Sequence, residues 1–139
     1  ISPDGKYLLY TEADYGTFPI WHHEADLKMM DLQTKENLNV DILNSSSVES
    51  YHSWSSNGRW IVFSSRRIDG LYTRLYLAYF DEKGNFHKPF LLPQSSADFD
   101  LLRMQSYNIP EFTKGATKIS SREIEKLLKG GTSPSKLRK

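Results

Sequence analysis

The sequence predicts an all-β fold made of two consecutive antiparallel modules. Three observations predict it. A turn followed by an apolar strand occurs twice, as Ser2-Pro3-Asp4-Gly5-Lys6-Tyr7-Leu8-Leu9-Tyr10 and as Ser55-Ser56-Asn57-Gly58-Arg59-Trp60-Ile61-Val62-Phe63, 53 positions apart. Repetition on this scale marks a modular architecture. The runs between turns are short, apolar and alternating, as strands are. There is no cysteine, so neither disulfides nor thiolate metal sites organise the chain.

Each element follows from local chemistry. At positions 2–5 serine opens a turn, proline pre-sets φ, aspartate tolerates the third place and glycine closes it. Tyr7–Glu12 reads as a strand with apolar residues on both sides, so both faces are expected to be covered. Residues 13–25 are a loop, unusually aromatic, and part of it is expected to pack down with Trp21 buried. Asp26–Asp31 is the next strand. Gln33–Asn37 is a polar turn, and Leu38–Leu43 reads as a third strand in which Leu38, Val40 and Ile42 alternate. Asn44–Ser47 is a polar connector.

The second unit is more complete. Ser50–Trp54 enters the turn and Trp60–Ser65 leaves it. Arg66–Tyr72 is a loop turning at Asp69-Gly70. Thr73–Asp81 is a long strand, with Leu75, Leu77 and Tyr79 opposite Tyr76, Ala78 and Phe80. Glu82–Asn85 is a hairpin turn and Phe86–Leu92 a last strand. Residues 50–92 therefore hold four strands in meander order. Residues 1–43 hold three, and their inner strand is expected before Ile1.

After residue 94 the composition changes. Residues 95–113 are expected to pack on the strands: Asp98–Gln105 suits a helical turn or two, and Tyr107–Phe112 is extended and bent at Pro110. Residues 114–139 form a basic tail. Ser120 and Glu123 make a capping box that opens a helix over residues 121–129, with Ile124, Leu127 and Leu128 on one stripe and Gly130 as the stop. Nine residues make such a helix marginal unless it docks. Residues 131–139 read as disordered. Residues 1–113 carry ten basic and fifteen acidic side chains, net −5, whereas residues 114–139 carry eight and two, net +6. The basic balance belongs to the tail and not to a folded face, which argues against nucleic acid as a partner. No apolar run reaches the roughly 18 residues of a membrane-spanning helix.

The units Ser2-Pro3-Asp4-Gly5-Lys6 and Trp54-Ser55-Ser56-Asn57-Gly58-Arg59 resemble the W-S-P-D-G-K repeat of TolB-like β-propellers. The run Tyr51–Gln94, with Tyr107–Phe112, is similar to the C-terminal blades of bacterial TolB-like periplasmic or surface proteins of Bacteroidetes type. The resemblance covers residues 1–113. It departs in two places: Ser56-Asn57 stands where the motif has proline and aspartate, and the tryptophan of the first unit would precede Ile1. The resemblance implies a β-propeller fragment of about two four-stranded antiparallel blades, the first lacking its inner strand, with a short helical tail and the remaining blades outside this chain. It implies a periplasmic or cell-surface location and a non-catalytic scaffold that takes a protein or peptide ligand. Physics points the same way, because a meander apolar on both faces cannot bury itself alone and radial stacking covers it. Two alternatives stay open. Prolyl oligopeptidase-type serine peptidases carry similar propellers, although no Gly-x-Ser-x-Gly elbow is present here. Carbohydrate binding through Trp21 and Tyr15 is the other.

In such a meander, loops 13–25 and 66–72 and the connector 44–49 share one rim. The turns at 2–5, 55–58 and 82–85 share the other. Trp21, His22, Glu24, Arg66 and Arg67 are the candidate binding residues of the first rim, and His52, on the inner strand, is a candidate to face a central channel. In extended chain His22 and Glu24 share a side and His23 does not. Two converging ligands fall short of the three or four a zinc site needs, so no metal and no cofactor is expected. Arg66 and Arg67 could clamp a carboxylate or phosphate, but ion pairs with Asp14, Glu24 or Asp69 are the expected use. No catalytic residue is expected. Uncovered faces and edges predict that the isolated chain associates.

Overall fold

A computed structural model describes residues 1–96, 98–107, 109–116 and 118–130; the stretch 131–139, read above as disordered, lies outside the described residues. The fold is all-β. Strands β1 (Tyr7–Glu12), β2 (Asp26–Asp31) and β3 (Asn37–Leu38) form one antiparallel sheet in the order β1-β2-β3. Strands β4 (Glu49–Trp54), β5 (Trp60–Ser65), β6 (Arg74–Tyr79) and β7 (Phe90–Leu91) form a second in the order β4-β5-β6-β7. Two helices, α1 (Phe99–Leu102) and α2 (Ser121–Lys129), follow the sheets.

The repeated turns are the same structure twice. Ser2 N–H donates to the Tyr7 carbonyl at 2.8 Å, as Ser55 N–H does to Trp60 at 2.8 Å. The Ser2 hydroxyl reaches Asp4 Oδ1 at 2.6 Å, as Ser55 reaches Asn57 Oδ1 at 2.7 Å. Both serine oxygens also accept from the first strand residue, Tyr7 or Trp60, at 3.0 Å. Gly5 and Gly58 close the turns at φ 74° and 66°, where a side chain is disfavoured. Asparagine in place of aspartate changes none of these bonds, because only an acceptor oxygen is used.

Three strands are shorter than the sequence predicts: the long strand expected over Thr73–Asp81 runs only over Arg74–Tyr79, and two others are interrupted. Leu38–Leu43 is not a strand throughout: β3 ends at Leu38 and Asp41–Leu43 is a 3₁₀ turn. Asn39 explains it, since its side-chain oxygen accepts from Asp41 N–H at 2.9 Å and offers the backbone a competing local bond. Phe86–Leu92 is likewise broken. Phe86 makes an isolated bridge to Phe80, and pairing resumes only at β7. Pro89 lies between and has no N–H to give to the ladder.

One core joins the two sheets. Leu9, Leu27 and Met29 of the first pack with Ile61, Phe63, Tyr76 and Ala78 of the second, and with Val40, Leu43, Phe80 and Phe86. Each fully buried large side chain contributes roughly 1.5–3 kcal/mol. Phe63 stacks on Tyr76 with centroids 5.9 Å apart, and Tyr7 meets Phe80 edge-on at 5.3 Å across the seam. The alternation in β6 is as read: Tyr76 and Ala78 are buried, while Leu75, Leu77 and Tyr79 are half-buried on the far face. β4 carries a bulge between Ser50 and Ser53, where Tyr51 adopts φ 49°.

The outer edge of β1 pairs with no strand among the described residues, and the His52 ring meets it at the Leu9 backbone. Lys6 accepts from Leu32 on the β2 side and Tyr7 bonds Ser2 on the other, so by antiparallel alternation Leu9 and Thr11 also turn their backbone groups to that open edge. In the second sheet the equivalent positions, Val62 and Ser64, face β4. Segment 98–107 is held to β6 by Arg74, which is buried. Its guanidinium donates to the carbonyls of Asp100 (2.7 Å), Arg103 (2.8 Å) and Gln105 (2.8 Å), and Tyr107 N–H reaches Thr73. Helix α2 has its capping box and buries none of its residues.

Candidate functional site

Loops 13–25, 44–49 and 66–72 meet at one end of the sheets. Glu49 N–H donates to the Ala25 carbonyl at 2.8 Å and Arg66 N–H to Val48 at 3.4 Å. Ile20, Ala25 and Val48 form a small core under them, flanked by Ala13 and Tyr51. The turns at residues 2–5, 55–58 and 81–84 line a cleft of about 370 Å³ at the other end.

His22 ties down the aromatic loop. One ring nitrogen lies 3.1 Å from the Thr17 carbonyl and the other 3.3 Å from Glu24 Oε1, with Tyr15 edge-on at 4.7 Å. A neutral imidazole donates to only one of these acceptors. Bonding from its own backbone N–H, together with the contact to His22, holds the Glu24 carboxyl below the usual carboxylate range. His22 and Glu24 therefore do share a side, and they use it to brace the loop. The described residues hold no group of three histidine, aspartate or glutamate side chains that could ligate a metal.

Trp21 is not buried. It is 73% exposed at the end of the 3₁₀ turn Pro19–Trp21, whose buried residue is its neighbour Ile20. One side chain per turn points inward here, and Ile20 takes that place. Tyr15 and Phe18 stand exposed beside it at 72% and 68%, and Ile68 and Leu71 are exposed on the next loop. Phe18 has φ 57°, a left-handed conformation disfavoured for a bulky residue.

Arg66 and Arg67 diverge, and neither pairs with Asp14, Glu24 or Asp69. Arg66 lies over the Trp21 ring, 4.3 Å from its centroid. Arg67 turns inward to Glu49 Oε1 at 2.9 Å and the Leu43 carbonyl at 2.6 Å, stacked over Tyr76 at 4.5 Å. Successive side chains leave the chain in opposite directions, so one arginine reaches the seam and the other the surface. Asp69 pairs with Arg74 at 3.9 Å. Partial burial opposes its ionisation, yet the N–H groups of Tyr72 and Leu71 and the Arg74 charge bring its carboxyl below the usual value.

His52 sits in the seam between β4 and β1. Burial pushes its pKa down, partly offset by the Leu9 backbone in front of the ring, and its Nδ1 has no hydrogen-bond partner among the described residues. It is two residues from Trp54, which packs edge-on against Phe80 at 5.3 Å. The structure thus gathers Trp21, His22, Glu24 and Arg66 at one surface, turns Arg67 beneath it, and leaves His52 between the sheets.

Sequence reasoning passed over Glu49, Arg74 and Asp100, all buried. Glu49 accepts from Ser45, Ser65 and Arg67. Its signal was faint: an acidic residue at the start of a strand, between Val48 and Ser50. Phe18 was also passed over, and no local signal marks its strained backbone. No family model matches the chain, and no curated protein matches it.

Proposed function

We propose that this chain belongs to a β-propeller of TolB-like kind. In this reading it is a non-catalytic scaffold that binds a protein or peptide in the bacterial cell envelope. The observation that carries the binding role is the exposed aromatic group Tyr15, Phe18 and Trp21, set on a loop braced by His22 and Ile20. Exposed apolar side chains scattered singly are ordinary, whereas several on one braced loop mark an interaction surface. The propeller reading draws support from two sheets sharing one core through equivalent turns, and from the open β1 edge, where a fourth strand fits as β4 does on β5. A full ring of such blades would present the aromatic rim as one mouth of its channel.

Site-specific photo-crosslinking tests the binding role. A photoreactive phenylalanine analogue is placed at Phe18 or Trp21, and in parallel at Glu82 on the opposite rim, and the protein is irradiated in envelope-containing cells. Discrete protein adducts from Phe18 and Trp21, and none from Glu82, are expected. Equal adducts from both rims, or none from the aromatic loop, would overturn the assignment.

A further inference from the structure

Arg66 differs from the two other arginines near it. Arg67 is neutralised by Glu49, and Arg74 by Asp100 and Asp69. Arg66 has no carboxylate within 4 Å among the described residues. Its Nε makes only a long contact to Thr73 Oγ1, 3.5 Å away, and the two terminal nitrogens carry no hydrogen bond among those residues. Its guanidinium is held instead on the Trp21 ring. A guanidinium stacked on indole keeps its in-plane donors free, and those donors match the two oxygens of a carboxylate. Exposed apolar side chains lie on the same two loops: Phe18 three residues before Trp21, and Ile68 and Leu71 after Arg66.

We infer that Arg66, with Trp21 and Phe18, is a receptor for an extended acidic peptide, one that places a side-chain carboxylate on the guanidinium and an adjacent apolar side chain against the exposed aromatics. The inference rests on the rim-binding reading above and names the chemistry of its ligand. Three observations favour it. The positive charge is uncompensated where every neighbouring one is paired. The platform is preformed, since His22 bonds Thr17 and Glu24, and Trp21 N–H closes the 3₁₀ turn on the Phe18 carbonyl at 3.0 Å; little ordering is then needed on binding. Phe18 keeps a left-handed backbone while its ring stays in solvent, and strain of this kind persists where the surrounding structure imposes it for a use. A sugar fits less well, because Arg66 already covers one face of Trp21, the exposed ring a sugar would stack on.

The test uses two pools of C-terminally amidated, fluorescein-labelled octapeptides. One carries fixed leucine and glutamate at its centre and the other leucine and glutamine. Binding to the chain is read by fluorescence polarisation, for the parent and for Arg66→Gln, Trp21→Ala and Phe18→Ala. The glutamate pool is expected to bind about tenfold tighter, as a charge-assisted hydrogen bond gives. Arg66→Gln should erase that preference, and Trp21→Ala and Phe18→Ala should weaken both pools. Equal binding of the two pools, unchanged in Arg66→Gln yet weakened by Trp21→Ala, would overturn the acidic ligand and leave the rim reading standing. No binding, or binding indifferent to Trp21→Ala, would overturn both. All three side chains reach the surface, so circular dichroism of each variant is expected to match the parent.

Discussion

Replacing Glu49 with alanine is expected to destabilise the fold by about 3–5 kcal/mol, the range for removing one partner of a buried ion pair. The carboxylate is fully buried. It accepts from Ser45 N–H at 3.0 Å, the Ser45 hydroxyl at 2.7 Å, the Ser65 hydroxyl at 2.8 Å and Arg67 at 2.9 Å. Alanine leaves the Arg67 cation against Tyr76 and Phe63 with no counter-charge, and it orphans the serine donors. Glu49→Gln keeps the shape but turns one acceptor into a donor facing other donors, for a smaller loss of about 1–3 kcal/mol. Urea unfolding followed by tryptophan fluorescence measures both, because the half-buried Trp54 packs on Phe80 and Phe86 against the core. The control is Glu82→Ala, which breaks the exposed pair to Arg59 and should lose less than about 1 kcal/mol. If Glu49→Ala lost no more than Glu82→Ala, the reasoning would fail. The double variant Glu49→Leu with Arg67→Met should recover much of the loss, since single changes measure orphaned groups and not the net worth of the pair.

Burial lowers the His52 pKa in the fold, whereas the unfolded chain takes up the proton below the ordinary value near 6.5. Stability is therefore complete above that pH and falls as pH drops below it; His52→Phe should flatten the slope of urea midpoints between pH 8 and 5, and an unchanged slope would refute this. Gly5→Ala and Gly58→Ala should each lose about 1–2 kcal/mol through positive φ alone, because the added carbon meets nothing within 4 Å at Gly5 and only Pro3 Cδ at 3.7 Å at Gly58. Unequal melting shifts would point to a steric cause. Ser120→Ala should lower the helical signal of α2 by about 1 kcal/mol of local stability without moving the global midpoint, since α2 buries nothing. Thr11→Pro removes an N–H on the open β1 edge and no ladder bond, so sedimentation should show less self-association than the parent.

Local chemistry made half of this molecule readable. β1, β2 and β5 have the bounds their apolar patterns indicate, and both turns close on the glycines that require it. The misses have physical causes. Asn39 and Pro89 break strands through single side chains that a periodicity does not weigh. Trp21 was expected inside because large aromatics usually are, yet Ile20 takes the one inward position of a three-residue turn. Trp21, His22, Glu24 and Arg66 lie at one end of the sheets, because loops of a meander share ends, whereas Arg67 turns inward. Its partner was not legible, because the Glu49–Arg67 pair spans 18 positions and exists only once β4 and β5 are in register.

The near-identity of the two turns also governs how the protein ages. An asparagine before glycine loses ammonia when the glycine nitrogen attacks its side-chain amide. Gly58 N–H is committed to the Ser55 carbonyl at 2.9 Å, and Asn57 Oδ1 holds both the Ser55 hydroxyl and Arg59 N–H, so the attack must first undo the turn. When hydrolysis yields aspartate, the product is the residue already at work as Asp4, with the same acceptor in the same place. The second turn then carries the same acceptor as the first, and the two differ only in Ser56 against Pro3. Only the isomer that threads the chain through the side chain, adding a backbone atom, would shift Trp60 out of pairing with Tyr79.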